Sequence, residues 1–227
     1  FFFKQKTAYE IPKRDWSSDV CSSDLRRPAR ALSFDELKRL LATLKPTARA
    51  MVLCASLTSM NIAEVCGLRW KRLNLTADPV VVDGESIPGF HAAVREQWYR
   101  REFGTVKAAA RRRNLPLPAL LVNALVEMRA ERSPEGVVFA GKSGFPVDAS
   151  AMLKRQVRKA SAAIGIPGLG WHDLRRTFAT LADQIGLSMG ERQALMGHSR
   201  AAMTMHYTHT PSEQARAAHE QLAGRIN

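Results

Sequence analysis

The chain has 227 residues, 34 of them Lys or Arg against 21 Asp or Glu, for a formal net charge of +13. No stretch approaches the roughly 18 to 20 consecutive apolar residues that a membrane-spanning helix needs, and three cysteines without CxxC spacing exclude a disulfide framework. A surplus of this size points to a polyanionic partner, and by itself fits DNA, RNA or an anionic membrane surface equally well.

Residues 1–25, FFFKQKTAYEIPKRDWSSDVCSSDL, show no periodicity that fits a domain and read as translated sequencing-adapter sequence, so they are set aside from the fold. They carry four basic and four acidic residues, so the whole +13 belongs to residues 26–227. That span is ample for one domain with a substantial core. With Cys21 set aside, Cys54 and Cys66 lie in apolar helical runs and are expected to be reduced and buried, in a cytoplasmic protein.

The first predicted helix, 33–44, opens with a capping box from Ser33 to Glu36 ahead of apolar residues at helical spacing. Helices at 47–58 and 61–67 follow. The stretch 79–117 reads as β-structure, with VVVDGESI and HAAVREQWYRREF as candidate strands and Asp83-Gly84 as a hairpin turn. Just beyond, TVKAAARRRNLPLP forms a basic stripe in which Arg111, Arg112 and Arg113 suit phosphate contacts. Further helices are expected at 118–132, 147–164, 172–186, 188–196 and 200–207, with VVFAG at 137–141 a short strand or turn. PSEQARAAHEQLAGRI at 211–226 reads as a separate amphipathic helix.

The run WHDLRRTFATLADQIGLSMGERQALMGHSRAAMTMHYTH is the most informative part of the chain. Leu174, Phe178, Leu181 and Ile185 recur at helical spacing and face a core, while His172 and Arg175 lie about one turn apart. MGHS sets His198 at a helix end, and Tyr207 follows nine positions later in polar surroundings. A phenol, with its pKa near ~10, is a poor nucleophile at neutral pH unless positive charge stabilises the phenolate or a base removes its proton. Arginine and histidine supply that field, and the same groups bind the charge that gathers on a phosphate's non-bridging oxygens in the transition state.

The order HDLRR, then LMGHS, then a tyrosine nine residues after that histidine resembles the tyrosine recombinase or phage integrase family, over roughly residues 31–227. The resemblance implies an α+β, mainly α catalytic domain with a small antiparallel β-sheet. It also implies a site-specific recombinase that cuts and rejoins double-stranded DNA through a 3′-phosphotyrosine link. Tyr207 would be the nucleophile, Arg175, His172 and His198 would hold the phosphate, and Lys107 would protonate the leaving 5′-hydroxyl. Arg111, Arg112, Arg113 and Arg176 would contact DNA. LTSMNIAEVCGLRW resembles the family's first motif, with Glu64 at its acidic position and Arg69 at an arginine carried in addition to the catalytic one. No metal, cofactor or small-molecule substrate is implied; the expected assembly is four protomers around two duplexes. The 211–226 helix either docks on a neighbouring subunit or packs at home. The family's N-terminal DNA-clamping domain is not in the chain, which is expected to continue upstream in its gene.

One position departs from the pattern. Where the family carries its first catalytic arginine, this chain has Asn61. Asparagine donates a hydrogen bond but has no charge and no guanidinium fork. Loss of such a contact costs roughly 2 to 4 kcal/mol of transition-state binding. The chain is therefore expected either to be slowed, down to a DNA-binding protein without efficient cleavage, or to be rescued by an arginine from elsewhere, such as Arg72 or the 111–113 run. A metal-dependent hydrolase built on His172, His198, His206 and His209 is a rival reading, although the chain has no HExxH. A helix-turn-helix regulator is another, but it leaves the ordered histidines, arginine and tyrosine without a role.

Overall fold

The computed structural model describes residues 30–106, 111–129, 133–196 and 212–226. Lys107, His198, His206, Tyr207, His209 and the helix expected at 200–207 lie outside the described residues.

Helix α1 (Phe34–Thr43) starts at the capping box read from the sequence: the Ser33 hydroxyl accepts from the Glu36 amide at 3.2 Å and the Glu36 carboxylate accepts from the Ser33 amide at 2.9 Å. Helix α2 (Pro46–Leu57) begins on a proline, whose fixed φ suits the first helical position and whose missing N–H is not needed there. An unbroken run from Ala50 to Leu57 is buried on every side, so α2 is the central post of the core rather than a surface helix with one apolar stripe. Around it pack α4 (Ala119–Met128), α7 (Trp171–Gln184) and α9 (Ser212–Gly224). The core side of α7 is formed by Leu174, Phe178 and Leu181, as their spacing predicts.

The β-region is three small antiparallel pieces. Strands β1 (Leu73–Asn74), β4 (His91–Val94) and β7 (Arg113–Pro116) form a sheet in the order β1-β4-β7, with Val94 opposite Arg113 and His91 opposite Pro116. β2 (Val80–Val82) and β3 (Glu85–Ile87) make a hairpin whose turn, Asp83-Gly84, has positive φ at both positions, as a type I′ turn requires. β5 (Glu96–Tyr99) and β6 (Glu102–Thr105) make a second hairpin, turned by Arg100 and Arg101, also both at positive φ. VVFAG is no strand of its own: Val137 and Ala140 each make an isolated bridge, to Arg69 and Pro146.

Helix α3 (Ile62–Gly67) lies against β5. Gly67 makes that approach possible, because a Cβ there would stand 2.7 Å from the Gln97 Cα. The helix expected at 147–164 is a continuous rod in three parts, α5 (Ala149–Met152), a π-helical stretch (Leu153–Val157) and α6 (Arg158–Ala163). Helix α8 (Met189–Met196) follows α7, and α9 packs on β7, α2, α4 and α7 of its own chain. Leu222 and Ile226 are buried there, and the Glu220 carboxylate accepts from the Ala119 amide at the start of α4, 3.2 Å away.

Candidate active site

Three elements converge on Arg175, in the second turn of α7: the α2–α3 loop, the start of β7 and the last turn of α8. Arg175 is 7 % exposed. Its Nη1 donates to the Ser59 carbonyl and its Nη2 to the Met196 carbonyl at 2.5 Å. Burial lowers its pKa to about 10; the nearby Glu64 carboxylate opposes that shift, and Arg113 and Arg111 add to it. At neutral pH the guanidinium keeps its charge. A buried cation whose neighbours include a carboxylate and two further arginines is a natural place for a phosphate.

Ser59 is the joint of the α2–α3 loop. Its φ of 59° is uncommon for a residue with a Cβ, and its carbonyl and its hydroxyl are both used in that conformation. The carbonyl takes Arg175, and the hydroxyl donates to the Leu195 carbonyl at 2.6 Å. Arg113 reaches the same carbonyl from β7, its Nε 3.2 Å away. The C-terminal turn of α8, which presents the carbonyls of Leu195 and Met196, is thus held from three sides. His198 lies two residues beyond that turn in the chain.

Asn61 and Glu64 form a capping box at the start of α3. The Asn61 Oδ1 accepts from the Glu64 amide at 2.9 Å, and Glu64 Oε2 accepts from the Asn61 amide at 3.0 Å. The asparagine side chain therefore terminates a helix, a role asparagine performs well and arginine does not. Glu64, with a side chain 1 % exposed, also takes both ends of the Arg113 fork, at 3.3 Å and 3.1 Å. This pair was not legible in the sequence. The spacing Asn61-x-x-Glu64 did carry a signal, since it matches the capping-box pattern of Ser33-x-x-Glu36 with Asn as the cap.

The remaining predicted residues divide by surroundings. His172 is exposed on α7, one turn before Arg175. Arg176 is exposed beside Asp173, at 3.8 Å. Arg112 is half exposed and pairs with Glu85 at 2.9 Å, whereas Arg113 is nearly buried. Arg72 is committed to Asp83 at 2.8 Å and Glu85 at 3.5 Å. Arg69 pairs with Glu96 at 2.7 Å and stacks 4.3 Å from the centre of the Phe103 ring. Among the described residues no three His, Cys, Asp or Glu side chains converge as metal ligands would. No described helix is long and apolar enough to cross a membrane.

The chain resembles an integrase of Streptomyces ambofaciens, with 30% identity over 193 residues covering 78% of this chain and 48% of that protein. It also resembles a XerC-like tyrosine recombinase of Caldanaerobacter subterraneus subsp. tengcongensis, at 26% identity, covering 84% of this chain and 53% of that one. An integrase of Mycobacterium phage D29 is 27% identical, with 93% and 56% covered. The chain spans about half the length of these relatives. In fold it is similar to the Tn1549 transposon integrase, solved in complex with a circular intermediate DNA, at a TM-score of 0.64 and 21% identity, covering 88% of this chain and 68% of that one. The XerA recombinase gives a TM-score of 0.57 at 21% identity, with 85% and 63% covered. Their shared fold is the α+β, mainly helical catalytic domain expected from the sequence. Residues 30–214 match the phage integrase family, and the chain belongs to it.

Proposed function

We propose that this chain is the catalytic part of a site-specific DNA recombinase that cuts and rejoins double-stranded DNA through a tyrosine. The observation that carries the reading is the buried, charged Arg175, set among Glu64, Arg113 and the end of α8, in a chain of this family. The Tyr207 oxygen attacks the phosphorus of a phosphodiester, the bond to the 5′-oxygen breaks, and a 3′-phosphotyrosyl bond forms. Lys107 gives a proton to the departing 5′-oxygen, and the phenolic proton passes to the basic groups around it. Arg175, with His172 and His198, neutralises the non-bridging oxygens. The energy of the broken bond is kept in the new one, so resealing needs no nucleotide cofactor. Arg111, Arg112 and Arg176 add phosphate contacts along the duplex. Four protomers on two duplexes complete an exchange, in the cytoplasm.

The test is a covalent protein–DNA adduct on a nicked duplex drawn from the gene's own flanking sequence. The adduct forms with the unaltered chain and is lost in Tyr207→Phe; an adduct that persists in Tyr207→Phe removes the reading. A second reading, a DNA-binding protein with weakened cleavage, is favoured by one observation: the Asn61 side chain is spent as a helix cap. Under that reading the adduct appears only in Asn61→Arg.

A further inference from the structure

We propose that Arg113 is a positioning residue of the phosphate site: by pairing with Glu64 and holding the Leu195 carbonyl, it leaves the charge of Arg175 available to DNA in a chain that has asparagine at position 61. The inference rests on the recombinase reading above.

The buried Glu64 carboxylate lies near Arg175 and would by itself offset that arginine's charge. Arg113 takes up both carboxylate oxygens. Three guanidinium charges, those of Arg175, Arg113 and the nearby Arg111, stand against the one Glu64 carboxylate and leave a clear positive excess for an incoming phosphate. Without Arg113 that positive excess is halved, and in a buried site of low dielectric the difference is felt strongly. Arg113 acts through its neighbours, because each of its three nitrogens is engaged: Nε with the Leu195 carbonyl, Nη1 with Glu64 and the Arg111 carbonyl at 3.0 Å, and Nη2 with Glu64. Other arginines near these strands have different commitments, Arg72 and Arg112 at Glu85 and Arg69 at Glu96. Arg113 also holds the Leu195 carbonyl, but the Ser59 hydroxyl holds the same oxygen, so discharge rather than loosening dominates the loss of Arg113.

The test compares the unaltered chain with Arg113→Gln, Glu64→Gln and the double variant, on two nicked duplexes. One carries the ordinary phosphodiester; the other carries a methylphosphonate, which has one charged oxygen replaced by methyl, at the cleavage position. Gln at 64 still completes the capping box. Arg113→Gln is expected to slow adduct formation on the phosphodiester by about 10²-fold or more. The double variant recovers most of the rate, because the offsetting carboxylate leaves with its partner, and the deficit of Arg113→Gln shrinks on the neutral methylphosphonate. A deficit equal on both substrates, or a folded double variant as slow as Arg113→Gln, overturns the proposal in favour of a purely structural role. Arg113→Gln cleaving like the unaltered chain overturns it too. If Arg113→Gln does not fold, the double variant decides: near-native cleavage supports the proposal and an inert folded protein overturns it. An unaltered chain that makes no adduct on either substrate overturns the recombinase reading itself, and this inference with it.

Discussion

Arg113 and Glu64, 49 positions apart in the chain, meet as a forked ion pair with nitrogen–oxygen distances of 3.1 Å and 3.3 Å and almost no exposure to solvent. The pair ties the sheet to the helix that Asn61 caps, and it stands beside the buried Arg175. Burying two charges is costly, so the pair adds little net stability while intact, and removal of one partner strands the other. Arg113→Met is accordingly expected to destabilise the fold by about 3 kcal/mol, and Glu64→Gln with Arg113→Met by clearly less. Urea unfolding of the single and double variants measures the difference.

Asn61 gives a separable prediction. Its side chain satisfies the Glu64 amide at the start of a six-residue helix, so Asn61→Ala should cost about 1 kcal/mol, while Asn61→Asp, which caps equally well, should cost only a few tenths. Equal losses for Ala and Asp in thermal unfolding would show that the cap does not matter.

His219 makes stability depend on pH. It is fully buried on α9, with Nδ1 2.7 Å from the Pro116 carbonyl and its ring edge-on to Phe178. Its Nε2 has no partner among the described residues. Burial lowers its pKa from 6.5 to about 4, so between those values the unfolded chain binds a proton that the native chain refuses. The contribution is fully present above pH 6.5 and lost as pH falls toward 4, up to about 3 kcal/mol. Unfolding free energies at pH 7 and pH 5 should differ in the native chain and converge in His219→Phe; a slope unchanged by the substitution would assign it to other groups.

The thiols of Cys54 and Cys66 are pushed up to about 12 by burial. Neither should react with iodoacetamide at pH 8 in the folded protein, and both should react once it unfolds. Site-resolved mass spectrometry separates them, and early labelling of Cys66 alone would mean that α3 opens without the rest.

Gly67→Ala should cost about 1 to 3 kcal/mol, because the added methyl meets the β5 backbone, which cannot step aside as a side chain can. Since β5 belongs to the hairpin that leads to Lys107, the variant should also slow adduct formation more than it weakens binding to duplex DNA, measured side by side.

What the sequence determined by itself was whatever depends on neighbours along the chain. The capping box at Ser33 and Glu36, the apolar face of α7 and the Asp83-Gly84 turn are local, set by hydrogen-bond reach and helical or strand period, and they stand as read. The family likewise follows from short, ordered motifs. Tertiary structure decided how the arginines divide. Arg111, Arg112 and Arg113 look alike as a basic stripe, yet Arg112, just before β7, pairs with the more exposed Glu85 while Arg113, its first residue, pairs with the buried Glu64. The partners at Glu64, Leu195 and Ser59 come from distant segments brought together by packing on α2, and no spacing rule reaches across 49 or 82 residues. Charge composition fixes how many cations a chain carries; only the packed core determines which of them lose their water and face a buried carboxylate, because that choice depends on long-range burial.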